Sequence, residues 1–115
     1  MQPFPEEKRH SIRVPVDLEV SMGKDKQEYP GRILNLSAEG ILVQASHLFD
    51  SDDEINLSFH LPGSRKTVQS KARVKWGGAM EGTATRRFLM GIHFEDLPAV
   101  RTEEITEYIQ NLLRS

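Results

Sequence analysis

Val14, Val16, Leu18, Val20 and Met22 occupy every second position, with Asp17, Glu19 and Ser21 between them. A helix repeats its apolar stripe every three to four residues, so this spacing instead describes a strand with one face in a core and the other in solvent. The same period returns at Ile55, Leu57, Phe59 and Leu61, at Val68, Ala72, Val74 and Trp76, and at Phe88, Met90, Ile92 and Phe94. Two further strands are expected at about residues 28–34 and 40–45, the second containing the apolar run Ile41, Leu42 and Val43. Breaking residues separate these segments: Gly23 to Asp25, Asn35 to Gly40, Ser51 to Asp53, Pro62 to Ser64, and Gly77 to Thr83.

From Thr102 the period changes, with Ile105, Tyr108, Ile109 and Leu112 at helical spacings of three and four. Thr102 is placed to cap this helix, Glu103 and Glu104 fall in its first turn and Arg114 in its last, in keeping with the helix dipole. Six short strands followed by one amphipathic helix predict an all-β fold: a closed or nearly closed antiparallel barrel with a helix over 102–114 packed on it. The 115 residues suit one domain, divided into a short polar arm at 1–13 and the barrel with its helix at 14–115.

The chain has no cysteine, which removes disulfides, thiolate zinc sites and thiol nucleophiles. Met1 to Glu7 lacks the basic start and apolar stretch of a secretory signal, and no run approaches the roughly 18 apolar residues of a membrane span. A soluble, cytoplasmic protein without membrane insertion is expected. The net charge of −2 gives no general positive field for a nucleic-acid backbone. Charge is instead local, with Lys8, Arg9 and Arg13 near the start and Arg65, Lys66, Lys71, Arg73 and Lys75 along a later segment.

Catalytic and metal chemistry find little support. The four histidines, His10, His47, His60 and His93, show no metal-ligand spacing, and His60 and His93 fall on the outward phase of their strands. The acidic run Asp50 to Glu54 has Ile55 where a calcium loop requires glycine. Gly77, Gly78 and Gly82 match no dinucleotide fingerprint and read as a hairpin connection, and no nucleophile elbow or phosphate loop is present. Neither an enzyme nor a cofactor is expected.

Arg9 and Arg13 remain, with Asn35, Ser37 and Gly40. Guanidinium forks suit phosphate oxygens and the O6 and N7 edge of guanine. A separation of four puts both side chains on one side of an arm, whether helical or extended, and Pro15 argues against a continuing helix. The Asn35 amide can donate and accept, the Ser37 hydroxyl can donate to a phosphate, and Gly40 permits a left-handed turn or close approach of a ligand. Read alone, these residues also describe a solvated basic arm and an ordinary turn between strands.

Together, Arg9-His10-Ser11-Ile12-Arg13 and Asn35-Leu36-Ser37-Ala38-Glu39-Gly40 resemble the two signatures of the PilZ domain family, Arg-x-x-x-Arg and Asp/Asn-x-Ser-x-x-Gly. Met90-Gly91-Ile92-His93-Phe94 is similar to the family's late strand. The resemblance implies a six-stranded barrel that binds cyclic di-GMP as a ligand. Arg9 and Arg13 would wrap its phosphates and guanine edges, Asn35 would read a guanine edge, Ser37 would support a phosphate and Gly40 would keep the turn open. Asn35 stands where aspartate is more frequent, giving a weaker acceptor but one negative charge fewer beside an anion. Lys8 could add charge. Trp76 could offer a ring to a base, or it could continue the inward phase of its strand and close the barrel.

The resulting expectation is a receptor whose arm orders around the nucleotide and changes the surface shown to a downstream protein. Two other readings compete with it: an adaptor of the same fold acting by protein contact without nucleotide, and a single-strand nucleic-acid binder using residues 65–75. The second has few stacking rings and charges that a solvated outer face already explains.

Overall fold

The computed structural model describes residues 12–64, 67–82 and 85–114, so Lys8, Arg9, Arg65 and Lys66 lie outside the described residues. Its strands are β1 (Val14–Lys24), β2 (Gln27–Leu36), β3 (Gly40–Ala45), β4 (Glu54–His60), β5 (Thr67–Ala79) and β6 (Phe88–Glu95), followed by helix α1 (Ala99–Arg114). All six pair antiparallel and close a barrel in the order β1-β2-β3-β6-β5-β4. Closure leaves no sheet edge unpaired, which a lone sheet of this size would have to protect.

The alternating apolar positions become the core. Val20, Met22, Ile33, Val43, Ile55, Leu57, Phe59, Val68, Ala72, Val74, Met90 and Ile92 are all buried. Ile105 and Ile109 of α1 join them, with Tyr108 packed alongside. The crossing from β3 to β4 contributes Phe49, whose ring meets those of Tyr29 and His47 edge-on.

Several boundaries differ from the sequence reading. The β1–β2 turn is Asp25-Lys26, both at positive φ (53° and 68°), while Gly23 belongs to β1. Positive φ at both central residues matches the twist of a hairpin, and the pairing of Lys24 with Gln27 makes the turn that tight. Gly77 and Gly78 lie within β5 rather than in the connection after it.

The helix begins at Ala99, ahead of Thr102, and no acid occupies its first turn. The Pro98 carbonyl accepts the N–H of Arg101 and of Thr102, so Pro98 stands at the cap and the Thr102 hydroxyl bonds back to it at 3.4 Å. The apolar period missed this turn because the positions three and four before Ile105 are the polar Thr102 and Arg101, and Val100 faces solvent off that stripe. Glu104 serves instead as the partner of Arg101, at 2.9 Å.

Candidate functional site

Strand register brings the two motifs together. Val14 pairs with Leu36 and Pro15 with Asn35, which sets Arg13, the residue before β1, beside the turn that follows β2. From there a row runs across five adjacent strands: Pro15 opposite Asn35, Asn35 opposite Leu42, Leu42 opposite Gly91, and Gly91 opposite Trp76. The neighbouring row, Val14, Leu36, Ile41, Ile92 and Val74, is buried throughout. Because adjacent rows of a pleated sheet point to opposite faces, a core row under the site forces the Asn35–Trp76 row to the outside of the barrel.

Irregularities in pairing adjoin this row. One shift lies between Pro15 and Leu18 of β1, one between Ile33 and Asn35 of β2, and one between Val74 and Trp76 of β5. In the last, Val74 pairs with Ile92 and Trp76 with Gly91, so Lys75 is an extra residue on β5. Such a bulge breaks the two-residue phase, and Lys75 and Trp76 are both exposed. The inward placement of Trp76 is thereby corrected: its side chain is 51% exposed and does not close the core. Its indole lies over Gly91, where an added Cβ would meet Nε1, stand 2.6 Å from Cε2 and 3.0 Å from Cδ1.

Ser37 organises the turn. Its hydroxyl oxygen accepts the N–H of Glu39 and of Gly40, each at 3.1 Å, and donates to the Gly40 carbonyl at 3.3 Å. The Ser37 N–H donates to that same carbonyl at 3.0 Å, and the Glu39 carbonyl accepts the Phe94 N–H at 2.9 Å. Ser37 is buried, and the turn is thereby tied to itself and to β6. Gly40 is not among the residues at positive φ. Its lack of a side chain serves close approach: an added Cβ would strike the Ile92 carbonyl oxygen and stand 3.2 Å from His93 Cα.

These residues surround a cavity of about 250 Å³ on the outer face. Arg13, Asn35, Ser37, Gly40 and Trp76 all line it, so four of the five motif residues and one secondary candidate converge; Arg9 and Lys8 are outside the described residues. Lys75 and His93 also line it, with Leu42, Leu89 and Gly91 giving an apolar floor and Glu39 the one carboxylate in the lining among the described residues. The sequence reading passed over these. Glycines at 77 and 78, inside what proves to be one strand, were the available signal of a bulge next to Lys75.

The charge of the site is set by which cations are already paired. Next to it, Arg73 donates to Glu95 at 2.6 Å and to the Asp52 carbonyl at 2.9 Å. That guanidinium holds the Glu95 carboxyl below its usual range through a hydrogen bond, against the opposing effect of desolvation. Arg32 pairs with Asp17 and Lys24 with Asp53. Arg13 and Lys75 have no ion-pair partner among the described residues. The cavity therefore offers unpaired positive charge, an amide able to donate and accept, and an exposed indole face. This set suits an anion carrying a planar ring. Among the described residues no cluster of three or more histidines and carboxylates could hold a metal ion.

The sequence matches the family model of the PilZ domain over residues 7–111. No curated protein matches it by sequence. Among solved structures, the Bacillus subtilis inhibitor of motility MotI/DgrA is similar with a TM-score of 0.81 and 21% identity, covering 100% of this chain. This chain spans 54% of that protein, about half its length. The PilZ domain of YcgR from Escherichia coli, solved with cyclic di-GMP, has a TM-score of 0.73 at 11% identity, covering 93% of this chain and 92% of that one. MrkH, a cyclic di-GMP-dependent transcription regulatory factor, gives 0.76 at 12%, covering 93% of this chain and 52% of its own. At these identities the structural likeness establishes the fold.

Proposed function

Because this chain belongs to the PilZ domain family, whose model covers residues 7–111, we propose that it is a receptor for cyclic di-GMP. The family supplies cyclic di-GMP receptors and adaptors rather than enzymes. The observation that carries the reading is the register that gathers Arg13, Asn35 and Trp76 around one outward-facing cavity. In this reading Arg13, joined by Arg9 from the arm, contacts phosphate oxygens and the guanine O6 and N7 edge, since a planar fork of donors fits both. Asn35 contacts the guanine edge with its amide, and Trp76 gives a base a flat apolar face. Ser37 and Gly40 act chiefly by holding the turn and the β3–β6 approach in shape, and the Ser37 hydroxyl can be redirected to a phosphate.

The location is cytoplasmic in this proposal; no helix among the described residues is long and apolar enough to cross a membrane. Trp76, more than half exposed, lines the cavity, so a bound nucleotide changes the apolar surface available to a downstream protein.

Calorimetric titration with cyclic di-GMP, with GTP and GMP as controls, tests the reading. Saturable binding at about micromolar Kd or tighter, roughly −8 kcal/mol, is expected for the cyclic dinucleotide alone. No heat at two temperatures would favour the adaptor that works without nucleotide. Trp76→Ala should weaken binding by about 1–3 kcal/mol if a base stacks there. Its melting temperature should stay close to the parent's, because the exposed indole contributes little to the core.

A further inference from the structure

Lys75 is the extra residue at one of the three pairing irregularities beside the site, and it is a cation. It lines the same cavity as Arg13, from β5 rather than from the residue before β1. Arg73, two residues earlier on the same strand, is held by Glu95 and the Asp52 carbonyl and is not free for a ligand. Lys75 has no ion pair among the described residues. The bulge thus sets an exposed lysine without an ion-pair partner among the described residues, though within coulombic reach of Glu95, beside the exposed Trp76.

Cyclic di-GMP carries two phosphodiester charges in one ring. A base lying on the Trp76 indole carries its ribose and phosphate past the edge of the ring, within reach of an ammonium on a flexible four-carbon stem. The row that Trp76 terminates runs through Gly91, Leu42 and Asn35 to Pro15, two residues after Arg13, and Arg13 lines the same cavity. From this geometry we infer that Lys75 is a second phosphate-binding residue of the site, neutralising the phosphodiester that Arg13 does not reach. The inference rests on the receptor reading and deepens it. It gives the bulge a purpose: a regular β5 would alternate Lys75 and Trp76 to opposite faces, and only the inserted residue puts base platform and cation on the same side.

The test is titration of the parent, Lys75→Ala, Lys75→Met and Lys75→Arg with cyclic di-GMP at low salt and in about 1 M salt, alongside melting of each free protein. At low salt Lys75→Ala and Lys75→Met are expected to bind about three- to tenfold more weakly, a range lowered for solvent exposure, and Lys75→Arg within about twofold of the parent. The difference should shrink in about 1 M salt, where charges are screened beyond roughly 3 Å. Melting temperatures without ligand should agree. A parent that binds while Lys75→Ala or Lys75→Met binds equally well overturns the assignment and leaves the receptor reading intact. A parent that does not bind at all overturns both.

Discussion

Gly40→Ala is expected to destabilise the barrel more than any exposed substitution near the site. The added Cβ meets the Ile92 carbonyl oxygen, with the Ile92 carbonyl carbon and His93 Cα each 3.2 Å away. All three atoms are backbone, so no flexible side chain can move aside, and the β3–β6 pair must open where Gly40 faces His93. Overpacking of this kind costs about 2–3 kcal/mol, with larger values where neighbours are rigid. For a domain of this size that corresponds to a fall of roughly 10–15 °C in Tm. Gly78→Ala is the matched control: Gly78 also lies in a strand, and an added Cβ there has no neighbour within 4 Å. A Gly40→Ala protein that melts with the parent would show that the two strands can separate freely, contrary to the account of the motif glycine given above.

Arg13→Ala should produce the opposite pattern, a large loss of ligand affinity with the fold unchanged. Arg13 is exposed, precedes β1 and has no ion-pair partner among the described residues, so its removal leaves no buried charge behind. A charged hydrogen bond to a phosphate or guanine edge is worth about 1.5–3 kcal/mol, a loss of roughly tenfold to a hundredfold in Kd. Arg13→Lys should recover only part of this, since an ammonium restores charge without the bidentate fork. Calorimetry of the three proteins, with melting curves as a check on folding, decides it. Binding of Arg13→Ala at parental affinity would remove Arg13 from the proposed site.

Taken together, the two substitutions separate roles that one motif-level description combines. Gly40 is required by the barrel wherever a ligand binds, because its constraint is internal contact. Arg13 is dispensable to the barrel, because everything it offers points to solvent. Ser37 stands closer to Gly40: its hydroxyl accepts two backbone N–H groups and donates to the Gly40 carbonyl within its own turn, so it can serve a ligand only by giving up that last bond.

Most of the architecture was legible in the amino-acid order. A period of two marks the buried face of each strand through local geometry alone, and Val20, Met22, Ile55, Leu57, Val68, Val74, Met90 and Ile92 are core residues as that period predicts. Ile105 and Ile109 likewise follow from the helical period. The motif residues could be named from their chemistry, because guanidinium, amide and hydroxyl groups carry their hydrogen-bonding capacity wherever they stand. Tertiary structure decided which of them meet. Register is a relation between strands distant in sequence, so Trp76 opposite Gly91, and through Leu42 near Asn35, has no local signature. The Lys75 bulge inverted the face assigned to Trp76, since one inserted residue reverses every later side chain in a two-residue period. The same holds for Gly40: its sequence context suggests a left-handed turn or close approach of a ligand, whereas the constraint is a neighbouring strand too close for any side chain. Periodicity determines the face a residue prefers within its own segment; the partner across the sheet determines whether that preference is kept and what it meets.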